Sequence, residues 1–308
     1  MGRLIVVSCG CQSAGIASTL EIIFPDDLIF PIAEKPSEAD RTELAREIQR
    51  SGKVIWIASD FERAADDDRL AALGDAVEMI RVPLVFFRGF HPDTTYATDA
   101  TGRPIRVAVS PSLDLQHGWW AENSAIVLWA WRHRLAIDDA AALFNAAVFR
   151  ALGYFDTWDA SVQRLHAQFE ACSLNFSRFL QVCKQRGPFM QSFNHPRIHA
   201  LTELAKQVAI KLGASRSVLD LPLDDIVADD LAFGPLWPIY TEIGEALGYR
   251  TCYIWRLSPH VYLHGAARYV AHAYASYQAQ GLRSDEIACH RFDGGLFDQA
   301  LHARVRTR

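Results

Sequence analysis

Apolar positions along the first ninety residues follow two rhythms. Leu4 to Val7 form a short apolar run, and Ile16, Leu20 and Ile23 then recur at helical spacing. This predicts a strand over 3–8 and a helix over 13–24, ended by Pro25-Asp26-Asp27. Leu28-Ile29-Phe30 and Ile32 predict a second strand, and Pro31 suits an edge or a bulge. Pro36-Ser37 opens an amphipathic helix carrying Leu44 and Ile48, which Gly52 ends. Val54 to Ala58 is nearly continuous apolar sequence, the mark of a strand covered on both faces. A charged helix over 61–73 and an apolar segment over 77–87, split at Pro83, complete the series. The alternation of strands and helices predicts an α/β fold with a parallel sheet and right-handed crossovers, Rossmann-like in outline.

The rhythm changes near residue 120. A long Gly-, Pro- and Ser-bearing loop spans 99–116. Helical patterns follow over 125–135, 139–152, 157–183 with a break at Leu174-Asn175, 197–212 and 266–280. A short strand over 251–257 and a polar tail from Leu282 fill the rest. The expected division is a sheet domain over 1–120 and a mostly helical domain over 121–308 packed against it.

Composition narrows the function classes. The chain has 308 residues, is half hydrophobic and carries a formal net charge of -5. That balance argues against general nucleic-acid or membrane-surface binding. No stretch is long and apolar enough to span a bilayer, and no signal-peptide pattern opens the chain. Six cysteines without zinc-site spacing suggest a cytoplasmic protein with reduced thiols. No G-x-G-x-x-G or P-loop follows the first strand, which argues against the usual dinucleotide and nucleoside-triphosphate sites.

Chemistry-bearing residues gather at breaks in the pattern. The turn Cys9-Gly10-Cys11-Gln12-Ser13 stands between the first strand and helix, where an open α/β sheet places its ligand. The helix dipole favours a thiolate there, although buried cysteine is more often an inert packing residue. Arg88-Gly89-Phe90-His91-Pro92-Asp93 is a second such break; Pro92 holds His91 extended, and Asp93 can accept from the imidazole or cap a turn. His91 is expected near the same sheet edge as Cys11. His117 precedes a Trp119-Trp120 pair, and Asn123 or Ser124 can cap the helix that follows. Lys184-Gln185-Arg186 ends one helix. Asn194 and His195, before Pro196, open another at an anion-friendly N-terminus. His195 and His199 have the spacing of a zinc pair but lack the supporting Glu, so no metal is expected.

Gly10-Cys11-Gln12, Gly89 to Asp93, Asn123-Ser124 and Phe193 to Pro196, in that order, resemble the WcbI-like family of polysaccharide biosynthesis enzymes. The resemblance extends to about Gly213. It implies a coenzyme A-binding protein of capsule biosynthesis, proposed to be an acetyltransferase with a Cys-His-Asn triad. The Cys maps onto Cys11 and the His onto His91, with His117 as second candidate. The Asn maps onto Asn123, with Asp99 as the alternative. Gly10 stands where the family's N-C-Q pattern has Asn.

The chemistry implied is acyl transfer from acetyl-CoA to a sugar or polysaccharide hydroxyl. His91 would activate Cys11 or the sugar hydroxyl itself, and Asn123 would orient the ring. The N–H groups of Gln12 and Ser13 would stabilise an oxyanion. Gln12 and Asp93 are secondary site candidates. Ser13, Arg88, Lys184, Arg186, Asn194 and His195 are the cofactor-binding candidates, with Arg103 and Arg106 as further cations. Two other readings stand beside it: a thiol-dependent ester or thioester hydrolase, and a non-catalytic CoA- or glycan-binding subunit.

Overall fold

Strand β1 (Leu4–Ser8) pairs in parallel with β2 (Leu28–Pro31) and with β3 (Val54–Ala58), and β4 (Val77–Arg81) pairs in parallel with β3. The sheet order is β2-β1-β3-β4. The edge position of β2 accommodates Pro31, which has no N–H to give to a neighbour. The computed structural model describes residues 2–32, 37–59, 76–110 and 119–305. The helix expected over 61–73 and His117 lie outside the described residues. The remaining short strands are β5 (Thr94–Thr95), β6 (Val107–Ala108), β7 (Trp119–Trp120), β8 (Asn123–Ser124), β9 (Ile254–Ser258) and β10 (Val261–His264). Among the described residues, the helices are α1 (Ser13–Ile23), α2 (Glu38–Ser51), α3 (Ala125–Arg132), α4 (Ile137–Ala141), α5 (Ala146–Ala151) and α6 (Thr157–Ala171), then α7 (Phe176–Arg186), α8 (Ile198–Lys211), α9 (Thr241–Leu247), α10 (Ala266–Ala279) and α11 (Leu296–Val305). The architecture is therefore an N-terminal parallel sheet with flanking helices followed by a mostly helical region.

The chain forms two compact units: 1–86 with 163–190 and 194–232, and 87–162 with 191–193 and 233–308. In the first, alternate residues Leu4, Val6, Val54, Trp56 and Ala58 pack with Leu44 and Ile48 of α2. Their neighbours Ile5, Val7, Ile55 and Ile57 are buried as well, so both faces of the sheet are covered. The reciprocal capping box of Ser37 and Asp40 starts α2, and Gly52 at φ +68° ends it. Helix α1 packs on α8 through Gly15, where an added Cβ would lie 2.7 Å from Leu201 Cδ1.

Several elements differ from the expectation. The segment after Arg81 leaves the sheet instead of extending to Phe87. The expected helix over 139–152 is two, α4 and α5, because the Asn145 side chain caps α5 through the Val148 N–H. Asn175 does the same for α7 through Arg178, which realises the break at that point. The long loop contains β6, which pairs with β7, and the strand near Leu257 is half of the β9–β10 hairpin. The polar tail contains α11, anchored by buried Phe297 and Leu301. Among the described residues, no helix is long and apolar enough to cross a membrane.

Candidate functional site

In the first unit, β1 runs into a single tight turn, Gly10–Gln12, that opens directly into α1. Gly10 makes the turn at φ +59°, a conformation that glycine adopts freely. The Ser13 hydroxyl accepts from the Cys9 N–H and donates to the Gly10 carbonyl, both at 2.8 Å. The turn separates the two thiols. Cys9 is buried, and burial pushes its pKa up to about 12, so it remains a thiol. Cys11 is exposed, and none of the six cysteines forms a disulfide.

One expectation for this turn fails. The Gln12 N–H donates to the Cys9 carbonyl at 3.1 Å, and the Ser13 N–H donates to the Gly10 carbonyl. Both groups expected to hold an oxyanion close the turn instead. Ser13 is also buried, with its hydroxyl committed to the same purpose.

The Gln12 side chain, also buried, joins two distant stretches. It donates to the Val85 carbonyl at 3.0 Å and to the Asn194 carbonyl at 3.2 Å, and accepts from the Val85 N–H at 3.2 Å. The G-C-Q turn and the Asn194-His195-Pro196 stretch are thereby hydrogen-bonded neighbours within one unit. Lys184 and Arg186 lie exposed at the end of α7. Arg186 is paired with Asp224 at 2.8 Å and lies 3.9 Å from Asp225. His199, in the first turn of α8, has its pKa held down to about 4 by burial, reinforced by the positive charge of Arg197.

In the second unit, His91 is buried in a turn, its N–H donating to the Arg88 carbonyl at 2.9 Å and its carbonyl accepting from Thr94 at 3.2 Å. Strand β5 then pairs antiparallel with β8, matching Thr94 to Ser124 and Thr95 to Asn123. The H-P-D and N-S motifs are thus also neighbours, within the second unit.

A family model for the polysaccharide biosynthesis enzyme WcbI matches residues 4–217. The chain belongs to this family. Curated proteins give no match. A solved structure described as WcbI, a novel polysaccharide biosynthesis enzyme, is similar with a TM-score of 0.63 at 14% identity, covering 100% of this chain and 98% of that one. It is described as the native protein without a disulfide bond between coenzyme A and a cysteine. At that identity the likeness speaks for the fold.

The remaining WcbI-type candidates fall into scaffolding positions. Asp93 is buried and accepts four hydrogen bonds: from Ser124, from the Ile126 N–H at 3.0 Å, and from Tyr154 and Tyr240 at 2.8 Å each. Its carboxylate sits at the positive end of α3, which stabilises the charge. Ser124 is the N-cap of α3, accepting from the Val127 N–H at 3.1 Å. Asn123 donates to the carbonyls of Ile105 and Ala121 and accepts from the Tyr277 hydroxyl, each at 2.9 Å. Asp99 closes its own turn with Thr101 and Arg103, and these bonds hold its carboxyl down to about 2. Arg88 donates to the Thr94 carbonyl at 2.9 Å and lies 4.9 Å over the Phe193 ring.

The tyrosines that complete the Asp93 and Asn123 networks were not legible in the chain. Tyr154, Tyr240 and Tyr277 stand 61, 147 and 154 residues from their partners, and no local spacing marks them.

Proposed function

We propose that this WcbI-family enzyme transfers an acetyl group from acetyl-CoA to a sugar hydroxyl in polysaccharide biosynthesis, through Cys11. The observation that carries the reading is the contrast between the two thiols of the turn: Cys11 is exposed, and Cys9 is sealed. The similar solved structure, described in terms of coenzyme A and a cysteine, supports coenzyme A as the acyl carrier.

In this reading the Cys11 thiolate attacks the thioester carbonyl. The bond from carbonyl carbon to coenzyme A sulfur breaks, and coenzyme A leaves as a thiolate that takes a proton. The sugar hydroxyl then attacks the acetyl-cysteine, giving its proton to a general base, and the Cys11 thiolate is regenerated. His91 is the base in this proposal. Asn123 and Asp93 hold the scaffold around the His91 turn, since their polar atoms already serve buried internal partners. Lys184 and the Asn194-His195 stretch are the proposed contacts for the phosphates of coenzyme A. Arg186 joins them only by sharing its charge with Asp224.

The test needs no knowledge of the acceptor. Brief incubation of the full chain with acetyl-CoA, followed by intact mass measurement, should give one added acetyl group on Cys11 that neutral hydroxylamine removes. Cys11→Ser should abolish it and Cys9→Ser should not. A hydroxylamine-labile acetyl group that forms on Cys11→Ser at the wild-type level would overturn covalent catalysis through Cys11.

A further inference from the structure

The end of α3 and the face of α11 bring together His133, Asp298 and His302, three ligand-type side chains that the proposed acyl transfer does not use. One ligand atom from each lies within 4.8 Å of the others. All three belong to the second unit. Asp298 and His302 also lie beyond residue 217, where the family match ends.

The hydrogen bonds fix which ring nitrogen is available. His133 Nδ1 is 2.9 Å from the Trp129 carbonyl, and His302 Nδ1 is 3.0 Å from the Asp298 carbonyl. A carbonyl only accepts, so each Nδ1 carries a hydrogen, and each Nε2 of a neutral ring is left with its lone pair. A backbone carbonyl on Nδ1 with Nε2 outward is the usual support of a metal-binding histidine. The carboxylate is supported too: Asp298 Oδ1 accepts from Trp129 Nε1 at 2.8 Å. Trp129 is buried, stacks on the His133 ring at 4.1 Å and meets the His302 ring edge-on at 5.2 Å, so one rigid indole backs all three groups.

His133 Nε2 and Asp298 Oδ1 are 3.6 Å apart. A cation between these two atoms would be held by both. A proton would draw a charge-assisted pair in to about 2.7–2.9 Å. A zinc ion with tetrahedral bonds of about 2.0–2.1 Å sets its ligand atoms roughly 3.4 Å apart. The His133–Asp298 spacing is close to the second, and His302 Nδ1 lies 4.0 Å from the same carboxylate oxygen, so a bound ion would draw the third ligand in. The C-terminal end of α3, where His133 sits, adds a negative dipole end that favours a cation.

We propose that His133, Asp298 and His302 form a divalent metal site of zinc type, with one ring nitrogen from each histidine and a carboxylate oxygen as ligands and a fourth position taken by water. Two imidazoles and one carboxylate are a donor set that zinc accepts. The site clips α11 to the end of α3.

The full chain, treated with chelator and then dialysed free of it, is titrated with zinc chloride while metal stoichiometry and melting temperature are followed. Thiols elsewhere also bind zinc, so the comparison is with His302→Ala and His133→Gln. Wild type should take up one equivalent more than either variant at zinc concentrations where the variants show none, and only wild type should gain thermal stability from it. Circular dichroism without zinc should match among the three; if one variant fails to fold, the other carries the comparison, with Asp298→Asn as a third. Equal zinc uptake and equal thermal response in wild type and the folded variants would overturn the proposal.

Discussion

Gln12 holds Val85 from both sides, its amide nitrogen donating to the Val85 carbonyl at 3.0 Å while its amide oxygen accepts from the Val85 N–H at 3.2 Å. A side-chain amide used this way replaces a strand neighbour for a residue that has left the sheet. The same nitrogen reaches the Asn194 carbonyl, so one glutamine ties the thiol turn to the stretch before α8.

Gln12→Ala should therefore act through the backbone. It leaves the buried Val85 N–H and carbonyl and the half-buried Asn194 carbonyl without this partner, and each such loss costs about 1–3 kcal/mol when the group is buried. We expect a destabilisation of about 3 kcal/mol, read by chemical denaturation. Gln12→Glu should cost a similar amount, since a carboxylate cannot donate to the two carbonyls. A Gln12→Ala protein as stable as wild type would contradict the tie.

Asp93 organises the second unit in the same manner. Its carboxylate accepts from two tyrosine hydroxyls, a serine hydroxyl and a helix N–H. Asn at this position keeps one oxygen and turns the other acceptor into a donor that faces hydroxyl groups. Asp93→Asn should destabilise by about 2–4 kcal/mol, and Tyr240→Phe by less, about 1.5–3 kcal/mol, because it removes only one of the four hydrogen bonds to the carboxylate. Thermal unfolding of both variants beside wild type checks the ranking.

The strand and helix rhythm of the first sixty residues was legible because a parallel sheet covered on both faces demands continuous apolar runs, as at Val54 to Ala58. The small structures of the second half were not. Strand β10 has only four residues with Tyr262 half exposed, and α11 follows two glycines and is buried through Phe297 and Leu301. The thiol turn was legible from its place between strand and helix. Which N–H groups it keeps for itself was not, because turn closure depends on backbone angles that residue type does not fix. Asp298 and His302 carry the one local signal that was missed, a spacing of four on a helix, while His133 joins them from 165 residues away.

Residue 10 tests what the turn asks of the position where the resemblance implies Asn. Its φ of +59° is left-handed, and among side-chain-bearing residues Asn enters that region most readily. An added Cβ would meet nothing within 4 Å. Gly10→Asn should fold with a loss of less than about 1 kcal/mol, whereas Gly10→Val should lose about 2 kcal/mol or more, since a β-branched residue is strained there. Equal stability of the two variants would show that the turn relaxes to another conformation.

The two thiols of the turn should differ in reactivity by their surroundings alone. Iodoacetamide applied to the native protein should modify Cys11, and exposed Cys252 with it, while Cys9 stays untouched until denaturant is added. Peptide mapping by mass spectrometry after timed quenching reads this directly. Early labelling of Cys9 at a rate matching Cys11 would show that the turn opens in solution and that the sealed thiol is available to chemistry.

His199 should give the protein a measurable acid sensitivity. Burial and the nearby Arg197 lower its folded pKa to about 4, against an unfolded value near 6.5. Between those two values the unfolded chain binds a proton that the folded chain refuses, so stability rises with pH across that window. The contribution is fully present above about pH 6.5 and is lost progressively as pH falls toward 4, amounting to at most about 3 kcal/mol. His199→Gln, which cannot be protonated in this range, should flatten the slope of stability against pH between 4 and 6.5 without changing it above 7. Denaturation curves at half-unit intervals through that window, for both proteins, decide the matter: parallel slopes would mean that His199 takes up its proton as readily in the folded chain as in the unfolded one.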